Sequence, residues 1–206
     1  MDNSSCSSSP VFDYYLVLDF EATCDDKNKP KPQEIIEFPV TKVNSRTLQT
    51  EAEFHQYVCP TAHPKLTTFC TDLTGITQDM VEGKPDLQTT LQTFHDWMGE
   101  NGLLDSGLSS CFVTCGDWDL KTMLPLQCKH LNIPVPTYFR KWINIKKVYS
   151  DVMGKQSKIG MPGMLHGLGL ELVGRHHSGI DDARNITKIL VALARKHPNI
   201  SATGKM

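Results

Sequence analysis

The amino-acid sequence predicts an α/β domain built on a mixed central sheet. Three strand-like segments follow one another near the N-terminus with short connections, which is typical of an antiparallel meander. Farther along, segments typical of helices and of strands alternate, and this alternation favours strands that add to the same sheet. The chain has 206 residues, enough for one domain with a substantial core, and its sequence indicates neither an internal repeat nor a second domain.

The meander begins with the apolar segment Tyr14–Phe20, in which successive side chains are expected to lie on opposite faces. Glu34–Asn44 and Thr50–Val58 are the next two predicted strands, and Ser45–Arg46 marks the turn between them. Because this connection is short, the two strands are expected to pair as antiparallel neighbours.

The rest of the chain is predicted to alternate between helices and strands. In order, the patterns predict a short helix or turn over Leu66–Ile76, a helix over Leu87–Met98, a strand over Cys111–Cys115, a helix over Asp117–His130, a strand that begins at Trp142 and turns helical, a short helix over Met164–Leu172 and a long helix over Gly179–His197. The last helix is the clearest, because Ala183, Ile186, Leu190 and Leu193 recur at helical spacing.

Composition restricts the class of protein. Apolar residues make up 39% of the chain and charged residues 21%, which is ordinary for a soluble globular protein. No apolar run approaches the roughly 20 residues of a membrane span, and the N-terminus lacks a basic-then-apolar signal peptide, so no membrane partner is expected. The Ser-rich residues 1–10 are predicted to be a flexible tail, residues 11–200 the domain and residues 201–206 a second tail.

The cysteines and the net charge indicate the cellular compartment and the kinds of partner that the chain can bind. Seven cysteines form no CxxC pair. This odd number favours a reduced intracellular compartment, cytoplasmic or nuclear, over a disulfide framework or a zinc site. The formal charge of −2 gives no global attraction to nucleic acid. A nucleic-acid partner would have to be held by a local basic patch or through metal ions.

The first predicted strand carries two acids inside an apolar run. Asp19 and Glu21, in "LVLDFEATC", are two residues apart, so a strand places both side chains on one face. Two like charges on a half-buried surface repel each other and lose hydration unless a cation neutralises them. A solvated edge or a turn also explains such a pair, and the pair alone leaves these interpretations open.

Two later segments offer further acids. In "CGDWDLKTML", Asp117 is the predicted N-cap of a helix, whereas Asp119 shares its side with core-facing residues. In the last helix, Asp182 lies one turn before Ile186 on the buried face, and Asp181 lies on a polar side. Acids in a first helical turn are commonly caps. Acids on apolar surfaces in three separate segments are costly without a metal, however, and their hard oxygen ligands suit Mg²⁺ or Mn²⁺.

Three short motifs resemble, in order, the exonuclease motifs of the DEDDh group of DnaQ-like 3′→5′ exonucleases: Asp19-Phe20-Glu21, Trp118-Asp119 and His177-x4-Asp182. The segments "DFEATC", "QEIIEFPV", "FCTDLTGITQ", "GDWDL", "KWINIKK" and "HSGIDDARNI" resemble more closely the histone-mRNA and enhanced-RNAi subfamily of 3′ exoribonucleases, across residues 12–197. The resemblance implies an RNase H-like fold with the five-stranded sheet order 3-2-1-4-5. It also implies a metal-dependent 3′→5′ exoribonuclease that releases nucleoside 5′-monophosphates from RNA 3′ ends.

The same resemblance implies a two-metal site for two Mg²⁺ ions, with Mn²⁺ as a substitute. Asp19 would bridge both ions. Glu21 and Asp182 would bind the first ion, and Asp119 would serve the second. Glu21 and His177 are the predicted catalytic residues, with His177 as the general base for the attacking water.

A neighbouring histidine satisfies the same spacing. Both His176 with Asp181 and His177 with Asp182 are separated by four residues. The subfamily pattern places a small residue two positions after the histidine, and Gly179 has that place only for His177. Helical phase independently selects Asp182, so both criteria favour the second pair. The subfamily usually carries Pro where this chain has His176.

The resemblance also implies a pocket for the 3′-terminal nucleotide. The predicted substrate-binding residues are Glu21, Ala22 and Thr23 at the 3′-hydroxyl, Phe69, Leu73 and Trp118 against the base, and His177. Phe69 and Leu73 are equally compatible with core positions of a short helix. Four basic residues could follow the RNA backbone or form a solvated face: Arg140, Lys141, Lys146 and Lys147.

Two other functions remain compatible with the sequence. One is a DNA-directed or dual exonuclease, because the motifs bind metal and phosphate rather than sugar. The other is a non-catalytic RNA-binding adaptor, against which the complete set of acids argues. The expected partner is therefore RNA, through a single-stranded 3′ end or the flank of a stem-loop, with DNA as the alternative.

Overall fold

The computed structural model describes residues 9–154 and 159–206, which form a mixed sheet with helices on both faces. The seven strands are β1 (Tyr14–Leu18), β2 (Glu21–Ala22), β3 (Ile35–Asn44), β4 (Thr50–Tyr57), β5 (Ser110–Thr114), β6 (Lys141–Asn144) and β7 (Gly204–Lys205). β1 and β2 follow one line of chain, because both pair with β3 on either side of a break at residues 19–20.

The strand connections confirm the predicted architecture. β3 pairs antiparallel with β1 and β2 on one side and with β4 on the other, which is the expected meander. β5 pairs parallel with β1, and β6 pairs parallel with β5. When β1 and β2 are counted together as the first of five predicted strands, the order is 3-2-1-4-5, as expected for an RNase H-like fold.

The two ends of the chain complete this description. Residues 201–206, for which the sequence suggests a tail, contribute β7, which pairs antiparallel with β6. Thr203 supports this edge by accepting the N–H of Asn144 on its Oγ1 at 2.7 Å. A two-residue strand has too little pattern for the sequence to reveal it. At the other end, residues 1–8 of the predicted N-terminal tail lie outside the described residues.

Helices cover the sheet in the order that the alternation predicts. They are α1 (Thr68–Thr74), α2 (Gln78–Val81), α3 (Leu87–Glu100), α4 (Leu124–His130), α5 (Ile145–Met153), α6 (Met161–Gly167) and α7 (Gly179–Lys196). A π-helical turn over Asp119–Met123 precedes α4, and a 3₁₀ turn over Thr137–Arg140 precedes β6. Among the described residues, none of these helices is both long and apolar enough to cross a membrane.

Alternating side chains of β1 build a core on each face of the sheet. Leu16 and Leu18 point to the face covered by α3 and α4, where Phe94 lies at the centre of an aromatic cluster. Tyr15 and Val17 point to the face covered by α5, α6 and α7. Because successive side chains of a strand point to opposite faces, β1 contributes buried residues to both cores.

Some boundaries differ from those that the sequence predicts. The first strand ends at Leu18 rather than at Phe20, because the chain breaks away from the β-ladder there. The helix predicted over Met164–Leu172 instead spans Met161–Gly167. Pro162 stands in its first turn, where its missing N–H costs nothing, and Gly169 follows its end with a left-handed φ of 69°.

Candidate active site

The site begins where the first strand breaks. Pairing stops at Leu18 and resumes at Glu21, and the register shifts between Glu21 and Ala22, so Asp19 and Phe20 leave the β-ladder. The N–H of Phe20 donates to Asp119 Oδ1 at 3.0 Å, which satisfies a buried donor that no strand partner reaches. An irregularity of this kind re-aims side chains, and here it brings Asp119 against the first strand.

Four carboxylates from three segments meet at this break. Oxygen atoms of Asp19, Glu21 and Asp182 lie within 4.8 Å of one another. Asp119 lines the same cleft, at the start of the π-helical turn. Single π-helical turns are rare and concentrate at functional sites. The structure therefore brings together the four residues that the sequence selects as metal ligands.

The cleft around these acids has a volume of about 350 Å³. Its other polar lining includes Lys146, His176 and His177, and the indole of Trp118 forms part of its wall. Lys146 is the single Lys or Arg among the described residues that line it. The four carboxylates are therefore not balanced by side-chain cations.

Burial raises the pKa values of all four acids, and repulsion from neighbouring carboxylates raises those of Asp19 and Glu21 further. Burial contributes most at Asp19, whose pKa lies well above its ordinary value, and the surrounding carboxylates raise it further. Burial, followed by the charge of Glu37, raises the pKa of Glu21 to about 9. Burial raises the pKa of Asp119 to about 6 and also raises the pKa of Asp182. A bound cation would therefore favour the ionised forms of Asp19 and Glu21 at neutral pH.

The donor set fits a hard divalent cation. Carboxylate oxygens are the ligands that Mg²⁺ and Mn²⁺ prefer, whereas softer metals prefer thiolates. Cys115 is the one cysteine among the described lining residues, and burial raises its pKa to about 12. It therefore stays a neutral thiol, and the ligands that remain are oxygen atoms and the two imidazoles.

The two histidines lie against Asp182. Nδ1 of His176 is 3.0 Å from Asp182 Oδ2, and the backbone N–H of His177 donates to the same oxygen at 2.9 Å. The two imidazole rings stack with their centroids 4.0 Å apart. His177 has a φ of 68°, which is uncommon for a residue other than glycine. Such backbone strain persists only where the surrounding structure fixes it, and it clusters at functional sites.

The rings of the two histidines differ in their surroundings. Burial lowers the pKa of His177, and the charges of His176 and Arg175 lower it further, while Asp182 acts in the opposite direction. Within residues 9–154 and 159–206, the ring of His177 has no hydrogen-bond partner, whereas the ring of His176 is engaged with Asp182. The geometry thus leaves the His177 ring neutral and free to accept a proton.

Glu37 is a site residue that the sequence analysis does not select. Its side chain is 1% exposed, and it lies opposite Glu21 across the pairing of β2 with β3. Its carboxylate accepts the N–H groups of Gly179 at 2.8 Å and Ile180 at 3.1 Å. Nε2 of His55 lies 2.8 Å from the same carboxylate. Glu37 therefore fixes the first turn of α7, the turn that carries Asp182.

The N-terminus of α7 packs directly on the strand break. A Cβ atom at Gly179 would lie 2.9 Å from the carbonyl oxygen of Asp19 and 3.0 Å from Glu37 Oε2, so this close approach requires glycine. The sequence signal for Glu37 is a second acid in the apolar segment "EIIEFPV", three residues after Glu34.

The predicted base-binding residues come from two sides of the site. Trp118 lines the cleft and is 41% exposed. Phe69 and Leu73 lie on α1, outside the described lining of the cleft, and Phe69 is 38% exposed rather than part of the core. The guanidinium of Arg175 donates to the carbonyl oxygen of Asp72 in α1. α1 therefore stands next to the segment that carries the histidines.

The residues predicted at the 3′-hydroxyl are less accessible than Glu21, which lines the cleft. Ala22 is buried, and its carbonyl oxygen receives the Cys70 thiol at 3.8 Å. Thr23 is also buried, and its backbone N–H already donates to the carbonyl oxygen of Glu34 at 2.8 Å. Neither Ala22 nor Thr23 is part of the described lining of the cleft.

Asp117 is not the helix cap that the sequence predicts, and this prediction is wrong. Trp118 occupies the cap position of the π-helical turn. The Asp117 carboxylate instead accepts the indole N–H of Trp142 at 2.9 Å and forms an ion pair with Lys147 at 3.3 Å. The partners come from β6 and α5, so only the assembled sheet brings them within reach.

The four predicted basic residues do not act as one surface on the cleft. Lys146 lines the cleft, whereas Lys147 is paired with Asp117. Arg140 ends the 3₁₀ turn before β6, and Lys141 begins β6, the strand that pairs with β7. Of the four, Lys146 is thus the one placed to meet a phosphate at the acids.

Comparison with known proteins identifies a matching family and a similar relative. The model of the exonuclease family named RNase_T matches residues 16–190. The chain is 57% identical to human ERI1 exoribonuclease 3 over 183 residues, which cover 89% of this chain and 54% of that protein. It therefore spans about half the length of this relative.

Two solved structures are similar over nearly the whole chain. One is the nuclease domain of 3′hExo, described as a DEDDh family member and bound to rAMP. It has a TM-score of 0.91 at 36% identity, and the match covers 97% of this chain and 100% of that chain. The other is titled 3′-end specific recognition of histone mRNA stem-loop by 3′-exonuclease. It has the same TM-score and identity, with 96% of this chain and 69% of that chain covered.

Removal of divalent cations should make stability depend on pH. The ordinary pKa of Glu21 is 4.5 and its folded-state pKa is about 9, so between these values the folded state binds a proton that the unfolded state releases. The free energy of unfolding therefore falls as pH rises through this range. We expect Tm in EDTA, measured by differential scanning calorimetry, to decrease from about pH 5 to about pH 9.

Two additions make this experiment specific to the cleft. Mg²⁺ or Mn²⁺ should raise Tm most at the alkaline end, where the cation replaces the missing protons. Glu21→Gln should flatten the pH dependence in EDTA, whereas Glu82→Gln, at an exposed position, should leave it unchanged. A wild-type Tm that is constant over this pH range in EDTA would contradict the argument.

Glu37→Gln should weaken metal binding as well as the fold. The Glu37 carboxylate accepts hydrogen bonds from the N–H groups of Gly179 and Ile180 on its two oxygens. The amide nitrogen of Gln cannot accept a hydrogen bond, so the start of α7 is expected to shift. The apparent affinity for Mn²⁺ should fall about tenfold, which removes about 1.4 kcal/mol of metal-induced stabilisation at saturation. Thermal unfolding across a Mn²⁺ titration measures this loss.

Glu34→Gln is the matched control. Glu34 is equally buried at 1%, but its carboxylate accepts the N–H groups of Thr61, Ala62 and His63, far from α7 in sequence. Both substitutions should cost about 1–3 kcal/mol of stability, because each leaves buried donors unsatisfied. An equal loss of Mn²⁺ affinity in both variants would show that Glu37 has no special part in positioning Asp182.

Proposed function

The chain belongs to the exonuclease family, in its DEDDh group, and from this premise we propose that it is a metal-dependent 3′→5′ exoribonuclease. The observation that carries the proposal is the convergence of Asp19, Glu21 and Asp182 within 4.8 Å, in one cleft with Asp119 and His177. We assign the activity to residues 11–200 and expect it inside the cell, in the cytoplasm or the nucleus.

Membership of this family implies a divalent cation, and the oxygen-rich donor set of the cleft fits one. We propose Mg²⁺, in two ions, with Mn²⁺ as a substitute, held by Asp19, Glu21, Asp119 and Asp182. When bound, the cations supply Lewis acidity at the scissile phosphate and neutralise the charge that develops there. The raised pKa values of the acids are consistent with this role, since a cation favours the ionised form that burial disfavours.

His177 is the proposed general base. Its lowered pKa keeps the imidazole neutral at physiological pH, so a ring nitrogen of His177 can take a proton from the attacking water. The N–H that His177 donates to Asp182 Oδ2 ties the backbone of the base to a ligand of the cation site. The strained φ of His177 follows from this tie and holds the ring at the cleft rather than on the helix.

RNA is the proposed substrate because of what similar proteins are said to bind. The relative at 57% identity is named an exoribonuclease. One similar solved structure is described as bound to rAMP, and the other as showing 3′-end specific recognition of histone mRNA stem-loop. For this chain we propose that a single-stranded RNA 3′ end or a stem-loop flank enters the cleft. Trp118 would stack on the terminal base, with Phe69 and Leu73 facing it from α1, a contact worth about 1–3 kcal/mol per base.

An assay on end-labelled nucleic acids tests the proposal. With Mg²⁺ or Mn²⁺, 5′-labelled single-stranded RNA should shorten stepwise from its 3′ end and release nucleoside 5′-monophosphates. EDTA should abolish the reaction because the scissile phosphate then lacks the Lewis acidity and charge neutralisation that the cations supply, and circular RNA should resist because it has no 3′ end. Shortening that persists in EDTA, or cleavage of circular RNA, would refute the mechanism. Equal shortening of labelled DNA would identify a dual exonuclease.

The histidine pair provides the sharpest test of the proposed base. His177→Ala should lower the single-turnover rate by about 10²–10⁴-fold, the usual contribution of a positioned proton acceptor. The loss from His176→Ala should be clearly smaller, because His176 contacts Asp182 and is not assigned a proton transfer. His176→Pro tests the residue that the subfamily usually carries there.

The pH dependence follows from the lowered pKa of His177. The base must be neutral, so the wild-type rate should change little above about pH 6.5, the ordinary histidine pKa, and fall only below it. The single-turnover rate of wild type and His176→Ala should share this profile. A larger loss from His176→Ala than from His177→Ala would move the catalytic pair to His176 and Asp181.

A further inference from the structure

A second cavity brings two cysteines together beside the proposed nucleotide pocket. It has a volume of about 320 Å³, lies between the segment that follows β2 and the start of α1, and is lined by both Cys24 and Cys70. Cys70 is fully buried and Cys24 is partly exposed. All cysteines of the described residues are free thiols, so this pair is reduced in the structure.

The two cysteines line the same cavity and their backbones are held by one threonine. Interaction between the two side chains raises the pKa of Cys24 and lowers that of Cys70. Oγ1 of Thr67 donates to the carbonyl oxygen of Cys24 at 2.7 Å and accepts the N–H of Cys70 at 3.0 Å. Because both backbones are fixed to Thr67, the two cysteines are held side by side at one wall of the cavity.

The chemistry of this pair differs from that of the other buried cysteines. Burial raises the pKa of Cys111 and Cys115 to about 12 and that of Cys128 to about 11, which keeps them as unreactive thiols. The interaction with Cys24 outweighs burial at Cys70 and lowers its pKa to about 7. Cys70 is therefore the more readily ionised of the two cysteines, and a second thiol lines the same cavity.

We propose that Cys24 and Cys70 form an oxidation site, at which a peroxide converts the two thiols to a disulfide and thereby inactivates the neighbouring nucleotide pocket. The effect on activity rests on the proposed exonuclease function, whereas the oxidation itself does not. In the reaction the two S–H bonds and the peroxide O–O bond break, and one S–S bond forms. The two sulfur atoms give up two electrons, which reduce hydrogen peroxide to two molecules of water. A dithiol reductant reverses the change.

Bond formation would move the two walls of the pocket relative to each other. A disulfide holds its sulfur atoms about 2.05 Å apart, much closer than two sulfur atoms that are not bonded can approach. Cys70 follows Phe69 directly in α1, and Cys24 follows Thr23, so the shift reaches the predicted base platform and the predicted 3′-hydroxyl contact. The Cys70 thiol would also lose its hydrogen bond to the carbonyl oxygen of Ala22. A misplacement of about 1 Å near a reacting group can cost about 10²-fold in rate.

The experiment treats the full chain with hydrogen peroxide, blocks the remaining thiols and maps the disulfides by mass spectrometry of proteolytic peptides. We expect a Cys24–Cys70 linked peptide and at least a tenfold loss of activity on single-stranded RNA, on the order that such a displacement allows. Dithiothreitol should restore the activity and separate the peptides.

Single substitutions identify the pair. Cys24→Ser and Cys70→Ser should each keep activity in reducing buffer and become resistant to peroxide. Cys24→Ser is the primary variant, because Cys24 is only partly buried and its replacement is the milder change. Cys59→Ser is the matched control: Cys59 is a partly exposed free thiol outside this cavity. This variant should remain as sensitive to peroxide as the wild type.

The outcomes separate this proposal from the proposed function. Absence of the linked peptide after peroxide treatment would overturn the oxidation site, whatever the activity. A linked peptide with unchanged activity would overturn the link to the nucleotide pocket. A reduced protein that degrades no RNA would refute the proposed function, while the peptide map would still decide whether the two cysteines form a bond.

Discussion

Repulsion among buried carboxylates at the strand break is the constraint on which the rest of the structure depends. Asp19, Glu21, Asp119 and Asp182 come from three segments and share one cleft, where burial raises the pKa of every one of them. Packing alone would favour an arrangement that separates these groups. The chain brings them together nonetheless, so the free energy of cation binding also becomes free energy of folding at this site.

Backbone donors, rather than side-chain cations, limit this repulsion. The acids of the site and Glu37 accept hydrogen bonds from the N–H groups of Phe20, His177, Gly179 and Ile180. Two of these donors belong to the first turn of α7, where the helix dipole also favours negative charge. Because β3 and α7 hold the donors in place, they need no reorganisation when the charge of the site changes. The fold thus holds the four carboxylates in an unfavourable arrangement that already has the geometry to bind a cation.

The local sequence pattern predicts where a side chain points when the strand or helix that carries the residue determines it. The pattern fails when a strand or helix far away in the sequence supplies the partners of that side chain. The two-residue period of a strand puts Asp19 and Glu21 on one face, and helical phase turns Asp182 inward, as the structure confirms. Asp117 looks like a helix cap until β6 and α5 bring it other partners. Glu37 stands out in the sequence as an acid inside an apolar strand, but its role becomes visible when α7 packs on it. The sheet order likewise required the resemblance, since strand periodicity contains no information on which strands become neighbours.

The charge of the cleft also determines how a polyanion can enter it. Each phosphate adds negative charge near four acids, Lys146 is the single Lys or Arg among the described lining residues, and a net charge of −2 provides no attractive field. Binding of cation and of phosphate must therefore favour each other, and by linkage each raises the affinity for the other by the same factor. The proposed stacking on Trp118 would add affinity without charge. In the proposed exonuclease, preference for a nucleic-acid end would then arise in the metal-loaded cleft itself, because a lone basic groove would bind the backbone equally well at any position along the strand.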